Sequence, residues 1–97
     1  MSAIEIFVEV VGWGGALLIL GGYLLLSMGK VDGRSVLYQG MNVVGAAGFI
    51  VNGAWHGAVP SAALNVVWML IGAIALWRIA AGKKASAKAR PVPEADA

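Results

Sequence analysis

The chain has 97 residues, 60% of them hydrophobic and only 12% charged, with a mean hydropathy of +0.82 and a formal net charge of +2. Such a composition leaves no room for a separate soluble domain, and seven Lys and Arg against five Asp and Glu is too mild an excess to mark a nucleic-acid binder. Zero cysteines exclude disulfides, thiolate metal sites and thiol catalysis.

Val10 to Met28, Ser35 to Trp55 and Val59 to Trp77 contain no Asp, Glu, Lys or Arg. Each is about as long as the ~20 apolar residues that cross a bilayer, so the sequence predicts an all-α integral membrane protein with three transmembrane helices, over residues 8–28, 35–56 and 59–79. Residues 1–82 form the single helical domain in this reading, and residues 83–97 a basic, disordered tail.

The punctuation places the helix ends. Ser2 and Glu5 have capping-box spacing, and Glu5 and Glu9 lie near the positive end of the first helix dipole. Those acids stand where a secretory signal carries positive charge, so the first span is expected to be retained. Gly29 suits the left-handed residue that ends helix one, and Ser35 the N-cap of helix two. Helix two is expected to end near His56 and Gly57, helix three to open on Pro60 and to stop at Gly82.

Every Lys and Arg falls on one side of this layout: Lys30 and Arg34 in the first loop, and Arg78, Lys83, Lys84, Lys88 and Arg90 after the third span. The positive-inside rule then puts the first loop and the C-terminus in the cytoplasm and the N-terminus outside, in a bacterial inner membrane. Trp13 and Trp55 fall at the outer boundary and Tyr38 and Trp77 at the inner one, where aromatic rings prefer to lie. Trp68 and Phe49 lie too deep for that belt. The basic tail is also suited to anionic membrane lipids, and topology anchoring explains it equally well.

Helix two carries the polar groups. At about 100° per residue, Tyr38, Gln39, Asn42, Gly45, Ala46, Phe49, Asn52, Gly53 and His56 share one face. Ser61, Asn65, Trp68 and Gly72 form a second stripe on helix three, while helix one offers Gly12 with Ala16 and the heptad pairs Gly14/Gly21 and Gly15/Gly22. Polar groups in a span face other helices or a wet cavity. One reading makes the amides interhelical glue and the glycines Gly12, Gly15, Gly22, Gly45 and Gly72 close-packing positions. The other makes Gln39, Asn42, Phe49, Asn52, Asn65 and Trp68 the lining of a cavity for a small neutral, hydroxylated solute, since amides donate and accept and rings stack. Three helices do not enclose a path, so that reading requires a parallel homo-oligomer, a dimer first of all.

Phe49, Gly53, Pro60 and Asn65, at that spacing within Gly45 to Gly72, resemble the second half of SemiSWEET and other PQ-loop proteins, three-helix half-transporters that form parallel homodimers around a sugar site. The resemblance implies a SemiSWEET-like three-helix bundle with Phe49 and Asn65 as the sugar-binding pair. The family's Pro-Gln pair is replaced here by Gly22-Tyr23-Leu24, and its sugar-pairing Trp by Phe49. A closer likeness, over Gly12 to Trp77, is to a group of small uncharacterised bacterial membrane proteins labelled as permeases. It rests on Gly12-Trp13 through Tyr23, Gly33-Arg34-Ser35, Tyr38-Gln39, Asn42, Gly45-Ala46, and Pro60-Ser61 through Asn65 and Trp68.

No catalytic centre is expected. The stretches Val10 to Met28, Ser35 to Trp55 and Val59 to Trp77 hold no carboxylate, His56 is the only histidine, and neither Ser27 nor Ser61 has a base beside it. Facilitated diffusion is therefore expected over a proton-driven pump. Glu5, Glu9 and His56 share the outer side, yet two acids one turn apart at a helix start read as dipole complements, so no metal or other cofactor is expected. The GWGG run from Gly12 to Gly15 lacks the strand-turn-helix setting of a phosphate loop. The alternative to a half-transporter is a non-transporting membrane scaffold or accessory subunit held together by polar helix contacts.

Overall fold

A computed structural model describes residues 1–89, with side-chain surroundings through Lys83. It contains three helices: α1 (Ala3–Ser27), α2 (Val36–Trp55) and α3 (Val59–Ala89). The ends follow the expected chemistry. Ser2 Oγ accepts from the Glu5 backbone N–H at 3.2 Å and Glu5 Oε1 from the Ser2 N–H at 3.1 Å, which completes the capping box of α1. Gly29, at φ 74°, lets the chain leave α1, and the Lys30 N–H closes on the Leu25 carbonyl at 2.9 Å. Ser35 caps α2 through the Tyr38 N–H at 2.9 Å, and Gly57, at φ 72°, turns the chain directly into α3, where Pro60 is the second residue.

Gly82 does not stop α3. The helix runs on to Ala89, because Ala and Lys are strong helix formers and a single glycine costs only about 1 kcal/mol inside such a run. The helix thus continues past the expected stop at Gly82 into the expected tail of residues 83–97, of which residues 90–97 lie outside the described residues.

The helices pack up-down-up with α2 in the middle. Gly15 meets Gly45 and Gly22 faces Tyr38 and Asn42 across the α1–α2 contact, while Gly53 meets Ala62 and Gly72 meets Val43 across the α2–α3 contact. Among the described residues no Cα of α1 comes within 8 Å of one in α3. The connections are short enough to force antiparallel neighbours, and small residues set how closely those neighbours approach. A methyl on Gly45 would lie 2.9 Å from the Gly15 carbonyl oxygen and 2.6 Å from Ile19 Cγ1, so α1 and α2 touch backbone to backbone. Gly48, which carries no pairing signal in the sequence, packs the same way on the Val11 carbonyl.

Very little apolar surface is buried within one chain. Val8 and Ala46 are the buried apolar residues among those described, while Trp13, Leu17, Leu64 and Trp77 are each more than 60% exposed. Two helices, α1 and α3, are long and apolar enough to cross a membrane. α2 is free of charge but falls short of that level, because Gln39, Asn42 and Asn52 and four glycines dilute its Val, Leu and Ile. The groups that make α2 chemically distinctive are the ones that lower its hydropathy.

Candidate functional site

The two neighbours of α2 attach to different flanks of it. Gly45, Gly48 and Asn52 face α1 and Val43 and Gly53 face α3, while Asn42 meets both, Gly22 on one side and Trp68 on the other. At about 100° per residue, Tyr38, Phe49 and His56 fall on the arc between those flanks. With α1 and α3 held apart, this arc is the floor of an open cleft. Trp68 enters it from α3, donating Nε1–H to Asn42 Oδ1 at 3.2 Å, and Ser61 and Asn65 share the helical face that Trp68 occupies.

Each amide has a partner inside the chain. Asn42 is 5% exposed, and its Nδ2 donates to the Tyr38 carbonyl at 2.8 Å. Asn52 Nδ2 reaches across to α1, to the Val8 carbonyl at 3.1 Å and Glu9 Oε2 at 3.3 Å. Asn52 fits there because Gly12 has no side chain: a Cβ at that position would lie 2.7 Å from Asn52 Cγ. Gln39 Nε2 donates to the Gly33 carbonyl at 2.7 Å and so ties α2 to the first loop. Asn65 Nδ2 donates at 2.9 Å to the Ser61 carbonyl one turn back on α3. No buried side-chain nitrogen or oxygen lacks a partner among the described residues.

The six cavity residues expected from the sequence therefore do not converge on one pocket within a chain. Asn42 and Trp68 are joined at mid-helix. Phe49 and Asn52 belong to a groove of about 330 Å³ between α1 and α2, lined also by Glu9, Gly12, Trp13, Ala16 and His56. Gln39 is engaged at the loop end and Asn65 with its own helix. Gly12, Gly15, Gly22, Gly45 and Gly72 are all buried at helix contacts.

The opposite face of the α1–α2 pair has the reverse character. A second groove of about 330 Å³ there is lined by Val11, Gly14, Gly15, Leu18, Val44, Ala47, Gly48 and Val51, without a polar side chain. One face of the α1–α2 pair is thus aliphatic and the other polar and aromatic.

At the N-terminal end of α1 lies a pair whose members read, in the sequence, only as a dipole complement and a lone histidine. Glu9 Oε1 is 4.0 Å from His56 Nε2, and both side chains remain about half exposed. Their approach joins residues 47 positions apart and follows from the antiparallel packing. Glu5, one turn earlier and outside the groove, has its carboxyl held below the ordinary value, first by the Ser2 backbone N–H and then by the Ser2 hydroxyl.

No curated protein and no solved structure matches the chain, so the likeness to SemiSWEET and PQ-loop proteins draws no support from either comparison. The model of a protein family matches residues 8–84, and the chain belongs to that uncharacterised family.

Proposed function

We propose that the chain is a multi-pass membrane protein of half-transporter type whose copies pair in parallel, cleft to cleft, and bind or pass a small neutral solute by facilitated diffusion. The observation that carries this reading is the division of the α1–α2 pair into an aliphatic face and a polar and aromatic face, the latter continued by the Asn42–Trp68 contact with α3. In a bilayer the first meets lipid at no cost, whereas the second gains from a protein partner or water. All three helices cross the membrane in this account, α2 shielded on both flanks by α1 and α3. At ~1.5 Å per residue α3 is about 46 Å long against a hydrocarbon core of ~30 Å, so its basic end projects into the cytoplasm and the N-terminus lies outside the bacterial inner membrane.

Pairing two clefts would bring two copies of Asn65, Trp68 and Phe49 around one cavity, the arrangement that the SemiSWEET-like spacing suggests. The test is reconstitution into liposomes and uptake of a graded series of neutral polyols and sugars. Protein-dependent uptake that Trp68→Ala abolishes supports the proposal, and uptake no faster than in protein-free vesicles across the series overturns it.

A second reading is favoured by one observation, that the amides of Gln39, Asn42, Asn52 and Asn65 all bond within the chain. A non-transporting scaffold or accessory subunit needs no more than this. Under that reading Asn65→Leu changes oligomer stability and has no solute effect to lose.

A further inference from the structure

We infer that the groove between the N-terminal half of α1 and the C-terminal half of α2 is a binding site for a small organic ammonium ion, with Glu9 as its counter-charge and Trp13 and Phe49 as its aromatic walls. The site lies within one chain and does not depend on pairing. Three observations carry it. Glu9 is the one carboxylate in the lining, and the lining holds no Lys or Arg. Its position is fixed from one side only: Oε2 accepts from Asn52 at 3.3 Å, whereas Oε1, 4.0 Å from His56 Nε2, has no hydrogen bond among the described residues. The described cations of the chain, Lys30, Arg34, Arg78 and Lys83, lie at the opposite end of the helices, so among the described residues no basic side chain other than His56 lies beside this carboxylate.

An indole and a phenyl ring beside a partly desolvated carboxylate match the two needs of an alkylammonium ion. Aromatic rings attract a cation through their negative faces, and the carboxylate balances its charge. A volume of about 330 Å³ accommodates an ion of the size of tetramethylammonium or choline. A divalent metal fits less well, because no group of three or more His, Cys, Asp or Glu side chains able to hold one occurs among the described residues. The ammonium group could come from a free solute or from a lipid headgroup, since the groove opens near the end of α1.

The experiment is isothermal titration of the full chain in maltoside micelles with tetramethylammonium and choline, beside 3,3-dimethylbutan-1-ol, the uncharged isostere of choline. The ammonium ions are expected to bind and the isostere to bind about tenfold or more weakly. Glu9→Gln should lose that difference, as should His56→Lys, which brings an ammonium group of the protein's own to the carboxylate. Glu5→Gln removes an equal charge outside the groove and should leave binding unchanged. Both groove variants are checked for helical content, and they lie on α1 and at the C-cap of α2, so misfolding of one does not decide the outcome. Tighter binding of a short-chain phosphatidylcholine than of choline would identify a lipid headgroup, and equal binding a free solute. Equal affinity for the isostere, undiminished binding by Glu9→Gln, or no binding of either ammonium ion would overturn the inference. Solute uptake in liposomes is a separate readout, so failure here leaves the pairing of clefts to stand or fall independently.

Discussion

Trp68 on α3 and Asn42 on α2 form the one side-chain hydrogen bond between those helices among the described residues, Nε1 to Oδ1 at 3.2 Å. Asn42 is buried, and its own amide group is spent on the Tyr38 carbonyl, so the indole is the remaining partner for Oδ1. Trp68→Phe keeps the ring and removes the donor. It should destabilise the fold by about 1 kcal/mol, between the ~0.6 average for polar contacts in membranes and the ~1–3 for an orphaned buried group. Asn42→Leu in the Trp68→Phe background should recover part of that loss in an unfolding titration in mixed micelles, since no polar atom is then left unpaired.

The glycines are not equivalent. Gly45→Ala would press a methyl against the Gly15 carbonyl and Ile19, and Gly48→Ala against the Val11 carbonyl, whereas a methyl on Gly14 would meet nothing within 4 Å. Overpacking typically costs about 1–3 kcal/mol, and backbone cannot retreat as a side chain can. The same unfolding assay should therefore show losses of that size for the first two and none for Gly14→Ala.

Gly12 and Asn52 form a lock of a different kind, a space and the amide that fills it. Gly12→Ala should expel the Asn52 side chain from the Val8 carbonyl and Glu9, and Asn52→Ala should remove the same bonds without a clash. Because both lose the same two bonds, their effects should be strongly non-additive: the double variant should be no less stable than Gly12→Ala alone.

The capping box gives a pH dependence with a definite sign. Glu5 has a folded-state value below its unfolded one, so its contribution is fully present above the ordinary carboxylate range and is lost as pH falls through the depressed folded value. The first turn of α1 should fray on acidification in that window, seen as faster amide exchange at Glu5 and Ile6. Glu5→Gln should remove the dependence, and an unchanged profile in that variant would assign it to another group.

Local signals in the sequence reach as far as local chemistry does. Ser2 with Glu5, Ser35, Gly29 and Gly57 act at the ends they suggest, since capping depends on residues within one turn. Gly82 misleads, because glycine marks a stop only where its neighbours do not favour helix, and the run of Ala and Lys around it does. What the sequence does not carry is which helix lies in the middle, a property of pairing and not of any segment. Once α2 is central, Asn52 meets Glu9, Gly48 meets Val11 and the amide stripe divides between two flanks. Gly48 gives no signal because its partner is a backbone carbonyl, which every residue has. Trp68, too deep for an interfacial belt, is accounted for by Asn42, a pairing that its position in the sequence does not specify.

Cleft-to-cleft pairing is tested most directly by cross-linking, for which the absence of cysteine leaves a clean background. Asn65→Cys places a thiol on the face shared with Trp68, and Val67→Cys places one two residues on, at a position 53% exposed and turned away from it. In native membranes a short bis-maleimide should link two copies through position 65 and leave position 67 unlinked. Linking at neither position, or equally at both, would contradict the paired-cleft account and leave the scaffold reading in its place.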